Sequence, residues 1–156
     1  MKLVEVNDHG FRFHLALRDR ALLLHLLELY PRVPPAHHQV TRQAPGDQAR
    51  EAQELLDQAL AEQRRANQKV ASKLLSGGAL WHENHRWVLA LSREEIEILM
   101  QVLNDVRVGS WLLLGAPEQQ LLLEALDENK TQHLVAMELA GFFQAQLLQA
   151  IQHPAS

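Results

Sequence analysis

The sequence contains no cysteine, which excludes disulfides, thiolate metal sites and cysteine nucleophiles together. It has no glycine-rich phosphate loop and no dinucleotide-binding fingerprint. Positive charge is not in excess: the net charge is −4 with histidines neutral, so no global field draws the chain to nucleic acid or anionic lipid. The opening MKLVEVNDHGFRF has no apolar segment of signal-peptide length. No run approaches the ~18 apolar residues that a spanning helix needs. The expectation is a soluble cytoplasmic protein with no membrane association. What is present is ordinary: 156 residues, 47% hydrophobic and 22% charged, which fits a single domain (1–156) long enough to bury a core.

The first residues predict a hairpin, with Leu3 to Val6 and Phe11 to Leu17 flanking Asn7-Asp8-His9-Gly10. Phe11, Phe13, Leu15 and Leu17 alternate with Arg12, His14 and Ala16, the period of a half-buried strand. Gly10 takes the loop position with positive φ. A first helix around Ala21 to Leu29 stops before Pro31, and Pro31, Pro34, Pro35 and Pro45 make the stretch to Gly46 a crossing without regular structure. Asp47 to about Leu75 predicts a second, long helix with an apolar stripe of Ala52, Leu55, Leu56, Ala59, Leu60, Ala66, Val70, Leu74 and Leu75. Its acidic residues (Asp47, Glu51, Glu54, Asp57) precede its basic ones (Arg64, Arg65, Lys69, Lys73). The helix macrodipole favours that order, which explains the basic cluster better than a phosphate-tracking stripe does. Nucleic acid is therefore not an expected partner.

After Ser76-Gly77-Gly78, residues 79–82 and 86–91 predict a second hairpin about Glu83-Asn84, with Trp87, Leu89 and Leu91 facing inward. A helical stretch beyond Pro117 runs to about Gln152, lapsing near residues 127–131. Its last part, LVAMELAGFFQAQLLQAI, is apolar over a wide arc, with Gly141 allowing close backbone approach. That segment suits either the centre of a bundle or half of a homodimer contact.

The chain is organised around Ser92 to Gly115, SREEIEILMQVLNDVRVGSWLLLG. Ser92 and Glu95 have the spacing of a capping box, and Gly115 before Pro117 supplies the stop. Ile96, Leu99, Leu103, Val106 and Leu113 form the core-facing stripe. Met100, Asn104, Arg107 and Trp111 form a second stripe beside it. A helix with so little polar circumference is covered on most sides.

No constellation of catalytic residues emerges. His82 and His85 are three apart in a turn and His37 and His38 are adjacent, whereas a zincin motif needs two histidines four apart on a helix. No metal or cofactor is expected. Gly109-Ser110 within a helix is not the strained elbow of a serine hydrolase. Asn104, Asp105 and Arg107 are the polar groups that a helical scaffold does not require, and a buried polar group without a partner costs ~1–3 kcal/mol. One account makes them a structural network, with Asn104 and Arg107 tying the helix to a neighbouring loop such as the proline-rich crossing. The other makes Met100, Asn104, Asp105, Arg107 and Trp111 an interaction patch, in which Arg107 and Trp111 are spaced to stack.

At these residues the sequence resembles the domain of unknown function 2017 family. VLNDVRVGSWLLLG is similar to that family's hallmark, a leucine–asparagine–aspartate–leucine–arginine run ending in leucine–glycine. GFRFHLALRDRALLLHLLELYP resembles its opening strand and first helix, WVLALSREEIEIL its strand leading into the hallmark helix, and MELAGFFQAQLLQAI its closing helix. Ser110-Trp111 depart from the small residues usual there, and the middle segment before Asp47 is shorter, as in a distant branch. Members are often encoded beside the ClpS adaptor of the Clp protease, which implies a role near regulated proteolysis. Some carry the label of transcriptional regulator, for which this chain has no recognition helix.

The combined expectation is a mostly α fold, a compact bundle of four to five helices with one or two short antiparallel β-hairpins. Its expected function is that of a non-catalytic protein-interaction module linked to Clp-type proteolysis, whose partner contacts the Met100–Trp111 stripe or the closing helix. The alternatives are a ligand-binding protein or small enzyme with a cleft at Asp105 and Arg107 and a histidine such as His14 or His25 nearby, and a nucleic-acid-binding regulator using Arg64, Arg65, Lys69 and Lys73.

Overall fold

Alternating apolar residues give the chain its strands, and the turns between them are set by backbone chemistry. The computed structural model describes residues 1–34, 46–116 and 127–152. Strands β1 (Lys2–Asn7) and β2 (Gly10–Leu15) form the first hairpin, and β3 (Leu80–Glu83) and β4 (Arg86–Leu91) the second. Gly10 has φ +138°, and a Cβ there would lie 2.3 Å from the Leu91 carbonyl oxygen, so only glycine fits this turn. Asn84 and His85, at φ 49° and 65°, make the two-residue turn with consecutive positive φ that matches strand twist.

The expectation of a bundle of four to five helices carrying one or two short hairpins is corrected by how the two hairpins join. β2 pairs antiparallel with β4, placing Phe11 opposite Leu91, Phe13 opposite Leu89 and Leu15 opposite Trp87. The result is one four-stranded antiparallel sheet in the order β1-β2-β4-β3, and the fold is mixed α and β. Physically, each hairpin alone would leave a row of unpaired backbone groups on an inner strand. Joining them satisfies those groups and merges two apolar faces into one.

That face is covered by helices α1 (Leu17–Glu28), α2 (Asp47–Leu75), α3 (Arg93–Leu113) and α4 (Glu128–Gln152). Leu17, expected to end the second strand facing inward, instead opens α1 and is 66% exposed. The core joins Phe11, Phe13, Leu89 and Leu91 of the sheet to Leu23, Leu26 and Leu27 of α1, and to Val70, Ala71 and Leu74 of α2. Helix α3 runs through its middle, touching α1, α2 and β4 and packing most extensively on α4. Only the second half of α2 joins this core: of the expected stripe, Val70 and Leu74 are buried, whereas Leu55 is 68% exposed.

The limits of α3 follow its sequence. The Ser92 hydroxyl accepts from the Glu95 N–H at 3.1 Å, and the Glu95 carboxylate accepts from the Ser92 N–H at 2.9 Å, a complete capping box. At the other end, Gly115 at φ +89° donates to the Leu112 carbonyl, and Ala116 donates to that of Trp111. These two bonds make a Schellman motif. Leu113, expected in the core stripe, is 56% exposed, whereas Leu114, one residue on, is buried. Helix α4 begins where the apolar pattern lapses: Asp127 accepts from the Lys130 N–H at 2.8 Å. The helical turn expected just after Pro117 lies outside the described residues, as does most of the proline-rich crossing.

Helix α4 also corrects the reading of apolar runs. It is long and apolar enough, by composition, to cross a membrane, although its Ala136, Ala140, Phe143 and Leu147 face is buried against the rest of the fold. A core helix has the same composition.

Glu95 links the α3 cap to α2 through an ion pair with Lys73. Burial pushes its carboxyl up, but the bonds from Lys73 and Ser92 outweigh burial and hold it below the ordinary 4.5. A carboxyl with a lowered folded-state pKa stabilises fully above its unfolded value and loses that contribution as pH falls through the folded one. Glu95→Gln is thus expected to flatten the acid limb of a Tm–pH curve below about pH 4.5. A limb identical to that of the parent protein would show that the pair contributes nothing.

Candidate functional site

The polar residues of α3 point in three directions and do three jobs. Asp105 faces the segment that follows α1. Its Oδ1 accepts the backbone N–H of Arg32 at 2.6 Å and, more weakly, that of Val33 at 3.4 Å. One turn on, Gly109 lets that segment come close: a Cβ there would lie 2.3 Å from Arg32 Cβ and 2.8 Å from its carbonyl carbon. Beside it, the fully buried Ser110 accepts from Arg32 Nη1 at 3.0 Å, and the same nitrogen lies 3.2 Å from His133 Nδ1 of α4. A guanidinium can only donate, so in this contact His133 Nδ1 is the acceptor. Burial lowers the Arg32 pKa below its ordinary value, yet a guanidinium stays charged at neutral pH.

Asp105, Gly109 and Ser110 therefore form a cradle for Tyr30-Pro31-Arg32-Val33, whose Tyr30–Pro31 bond is cis. The idea of a helix tied to a neighbouring loop is right in kind, but Asp105 makes the tie, not Asn104 and Arg107. Arg32, Gly109, Ser110 and His133 were not singled out for this role from the sequence. The available signal was a Gly-Ser pair inside an otherwise bulky helix, four and five residues after an aspartate. Gly141, expected to mark close approach, meets only Arg107 Cδ at 3.8 Å from an added Cβ, an ordinary contact.

A second region lies between α2 and α3, a cleft of about 420 Å³ that includes Tyr30, Arg64, Asn67, Gln101, Asn104 and Asp105 in its lining. Asn67 is 6% exposed and accepts from Gln63 Nε2 at 2.7 Å. Burial raises the Tyr30 phenol above its ordinary 10.0; its hydrogen bond to Asn67 opposes this, the Asp105 carboxylate adds to it, and Arg64 opposes it. The histidines expected near such a cleft are elsewhere. His14 is on the outer face of the sheet, 3.2 Å from Arg86 Nη1, and His25 is exposed on α1.

The third region is a groove of about 520 Å³ between α3 and α4, lined by Arg107, Val108 and Trp111 and by Met137, Glu138, Gly141 and Phe142. Trp111 is 38% exposed and Phe142 50%. Arg107 is exposed, and its Nη2 donates to Asn104 Oδ1 at 2.9 Å, one helical turn back. Met100 is half-buried, and its carbonyl accepts from Gln144 Nε2 of α4 at 3.1 Å.

The five residues of the expected patch thus do not form one surface. Met100 belongs to the α3–α4 seam, Asp105 to the cradle, and Asn104 steadies Arg107. Arg107 and Trp111 are left facing solvent, joined by residues of α4.

Of the basic cluster on α2, Lys73 is paired with Glu95 and Arg64 lines the cleft, while Arg65 and Lys69 are exposed. His82 packs against Trp87 with ring centroids 5.0 Å apart, and His85 is in the β3–β4 turn. His37 and His38 lie outside the described residues. Among the described residues, no three histidine or carboxylate side chains are grouped as metal ligands would be. In comparisons with known proteins, no family model, no curated protein and no solved structure matches the chain.

Proposed function

We propose that this chain is a non-catalytic protein-interaction module whose docking surface is the α3–α4 groove. One observation carries the reading: a tryptophan and an arginine, the side chains most enriched among interface anchors, stand exposed beside a half-exposed phenylalanine on a rigid pair of helices. The groove selects a partner with an apolar side chain to fill it and a carboxylate near that side chain to meet Arg107. The resemblance to the domain of unknown function 2017 family adds a setting to this proposal, the cytoplasm and the neighbourhood of Clp-type proteolysis.

Arg107→Ala and Trp111→Ala are each expected to abolish capture of such a partner in a pulldown. Arg107 is exposed, so Arg107→Ala should change stability by no more than about 0.5 kcal/mol, whereas Trp111→Ala, at a position 38% exposed, should cost about 1–2 kcal/mol and leave the chain folded. If both variants unfold, the groove is structural and the proposal fails.

A second reading is supported by the Tyr30–Asn67 pair: a small polar ligand held in the α2–α3 cleft, with Arg64 as its cation where Arg107 had been expected. A polar metabolite at 100 times its dissociation constant would raise stability by about 2.7 kcal/mol. No thermal shift across a metabolite screen would count against it.

A further inference from the structure

Leu60, Arg64 and Asn67 recur on α2 at the spacing of one helix face, and Gln101, Asp105 and Val108 do the same on α3. The two stripes form opposite walls of the α2–α3 cleft, so a guanidinium stands on one wall and a carboxylate on the other. Arg64 and Asp105 are both partly buried. Among the described residues, neither forms an ion pair, with each other or with a third group. Charges drawn partly out of water ordinarily find an opposite charge. Here the two opposite charges are held apart by an open space of about 420 Å³.

The polar groups between them are oriented. Gln63 Nε2 donates to Asn67 Oδ1 at 2.7 Å, which leaves the amide N–H groups of Asn67 to meet the Tyr30 phenol oxygen. Asn67 is 6% exposed, so this chain of bonds is fixed from inside the fold. Burial raises the Tyr30 pKa, so the phenol keeps its proton at neutral pH and offers an O–H beside Arg64. On the other wall, Asp105 Oδ1 is taken by the N–H groups of Arg32 and Val33. Its Oδ2 has no hydrogen-bond partner among the described residues. The cleft therefore presents a cation and a donor on one side, an acceptor anion on the other, and apolar surface from Leu60 and Val108.

Resting on the second reading above, a small polar ligand in this cleft, we propose that the ligand is a free α-amino acid with an aliphatic side chain. Its carboxylate meets Arg64 and the Tyr30 O–H, its ammonium group meets Asp105 Oδ2, and its side chain lies against Leu60 and Val108. A plain anion would be repelled by Asp105, and a plain cation by Arg64. A ligand that carries both charges complements both walls. The cleft is also of the size that small-molecule sites have, about 300–1,000 Å³.

Isothermal titration calorimetry of the full chain tests this with L-leucine and two analogues, 4-methylpentanoate, which lacks the ammonium group, and 3-methylbutylamine, which lacks the carboxylate. L-Leucine should bind with a dissociation constant of about 1 mM or tighter. Each analogue should bind at least about tenfold more weakly, because each leaves one charged wall without its partner. Asp105→Asn should remove the preference for L-leucine over 4-methylpentanoate, and Arg64→Gln the preference over 3-methylbutylamine. A merely structural role for either residue would leave those preferences unchanged. Circular dichroism melts establish that the variants are folded; should either fail to fold, the parent chain's ranking of the three probes decides alone.

No binding of L-leucine, L-valine or L-methionine up to about 10 mM overturns the inference. So does equal affinity for L-leucine and 4-methylpentanoate, which would make the cleft a site for plain anions. If the amino acids fail while the metabolite screen finds another polar ligand, the amino acid is excluded and the cleft reading stands. If the screen also finds nothing, both fall.

Discussion

Asp105→Ala is expected to cost about 2–4 kcal/mol of stability, because it removes a charged acceptor from two backbone N–H groups and leaves them facing the helix without a partner. Asp105→Asn keeps one acceptor oxygen and should cost less. Gly109→Ala acts on the same segment by a different route: the new methyl group would lie 2.3 Å from Arg32 Cβ and 2.8 Å from its backbone, and overpacking of this kind costs about 1–3 kcal/mol. The two losses should not add. Once Asp105→Ala has released the Arg32 segment, an added methyl at position 109 finds less to collide with, so the double variant should be more stable than the sum implies. Urea denaturation of the parent, both single variants and the double variant reads this directly. Strict additivity would mean that Asp105 and Gly109 do not hold one segment between them.

The cradle also shows which parts of this molecule were legible in its sequence. The capping box of Ser92 and Glu95, the Gly115 stop, the Gly10 turn and the alternation of Phe11, Phe13 and Leu15 were read correctly. Each is settled by residues a few positions apart, through backbone geometry or side-chain period. The β2–β4 pairing joins strands more than 70 residues apart, and no local pattern specifies which edge meets which. The Asp105–Arg32 bond spans 73 residues and was missed for the same reason.

Helix α2 illustrates a different limit. Its periodicity identifies an apolar face correctly, but periodicity does not say how far along the helix other elements reach. Leu55 has the spacing of a core residue and is exposed, whereas Val70 has it and is buried. Asp105 parts from the rest of the candidate patch for a geometric reason. Successive α-helical residues are about 100° apart, so Asp105 and Arg107, two apart, leave α3 in widely separated directions. A cluster in sequence became two surfaces in space.

Phe142 and Phe143 make the same point in adjacent positions and should give opposite results. Their rings meet edge-on with centroids 5.6 Å apart, yet Phe143 is fully buried and Phe142 half-exposed. Phe143 lies on the same buried line as Ala136, Ala140 and Leu147, the face of α4 that packs on α3. Phe143→Ala would leave a cavity there and is expected to cost about 3–5 kcal/mol. For a chain of this size that is a fall in Tm of roughly 6–20 °C. Phe142→Ala removes a ring that is half-exposed and touches Phe143 by its edge, so it should cost about 1 kcal/mol, well below Phe143→Ala. Its larger effect should be on capture of a partner in the groove that Phe142 borders. If Phe142→Ala destabilised the chain as much as Phe143→Ala, α4 would be packed on both faces and there would be no open groove for a partner. If Phe143→Ala were harmless, α4 would not be part of the core, and the rigid wall that the groove needs would be gone.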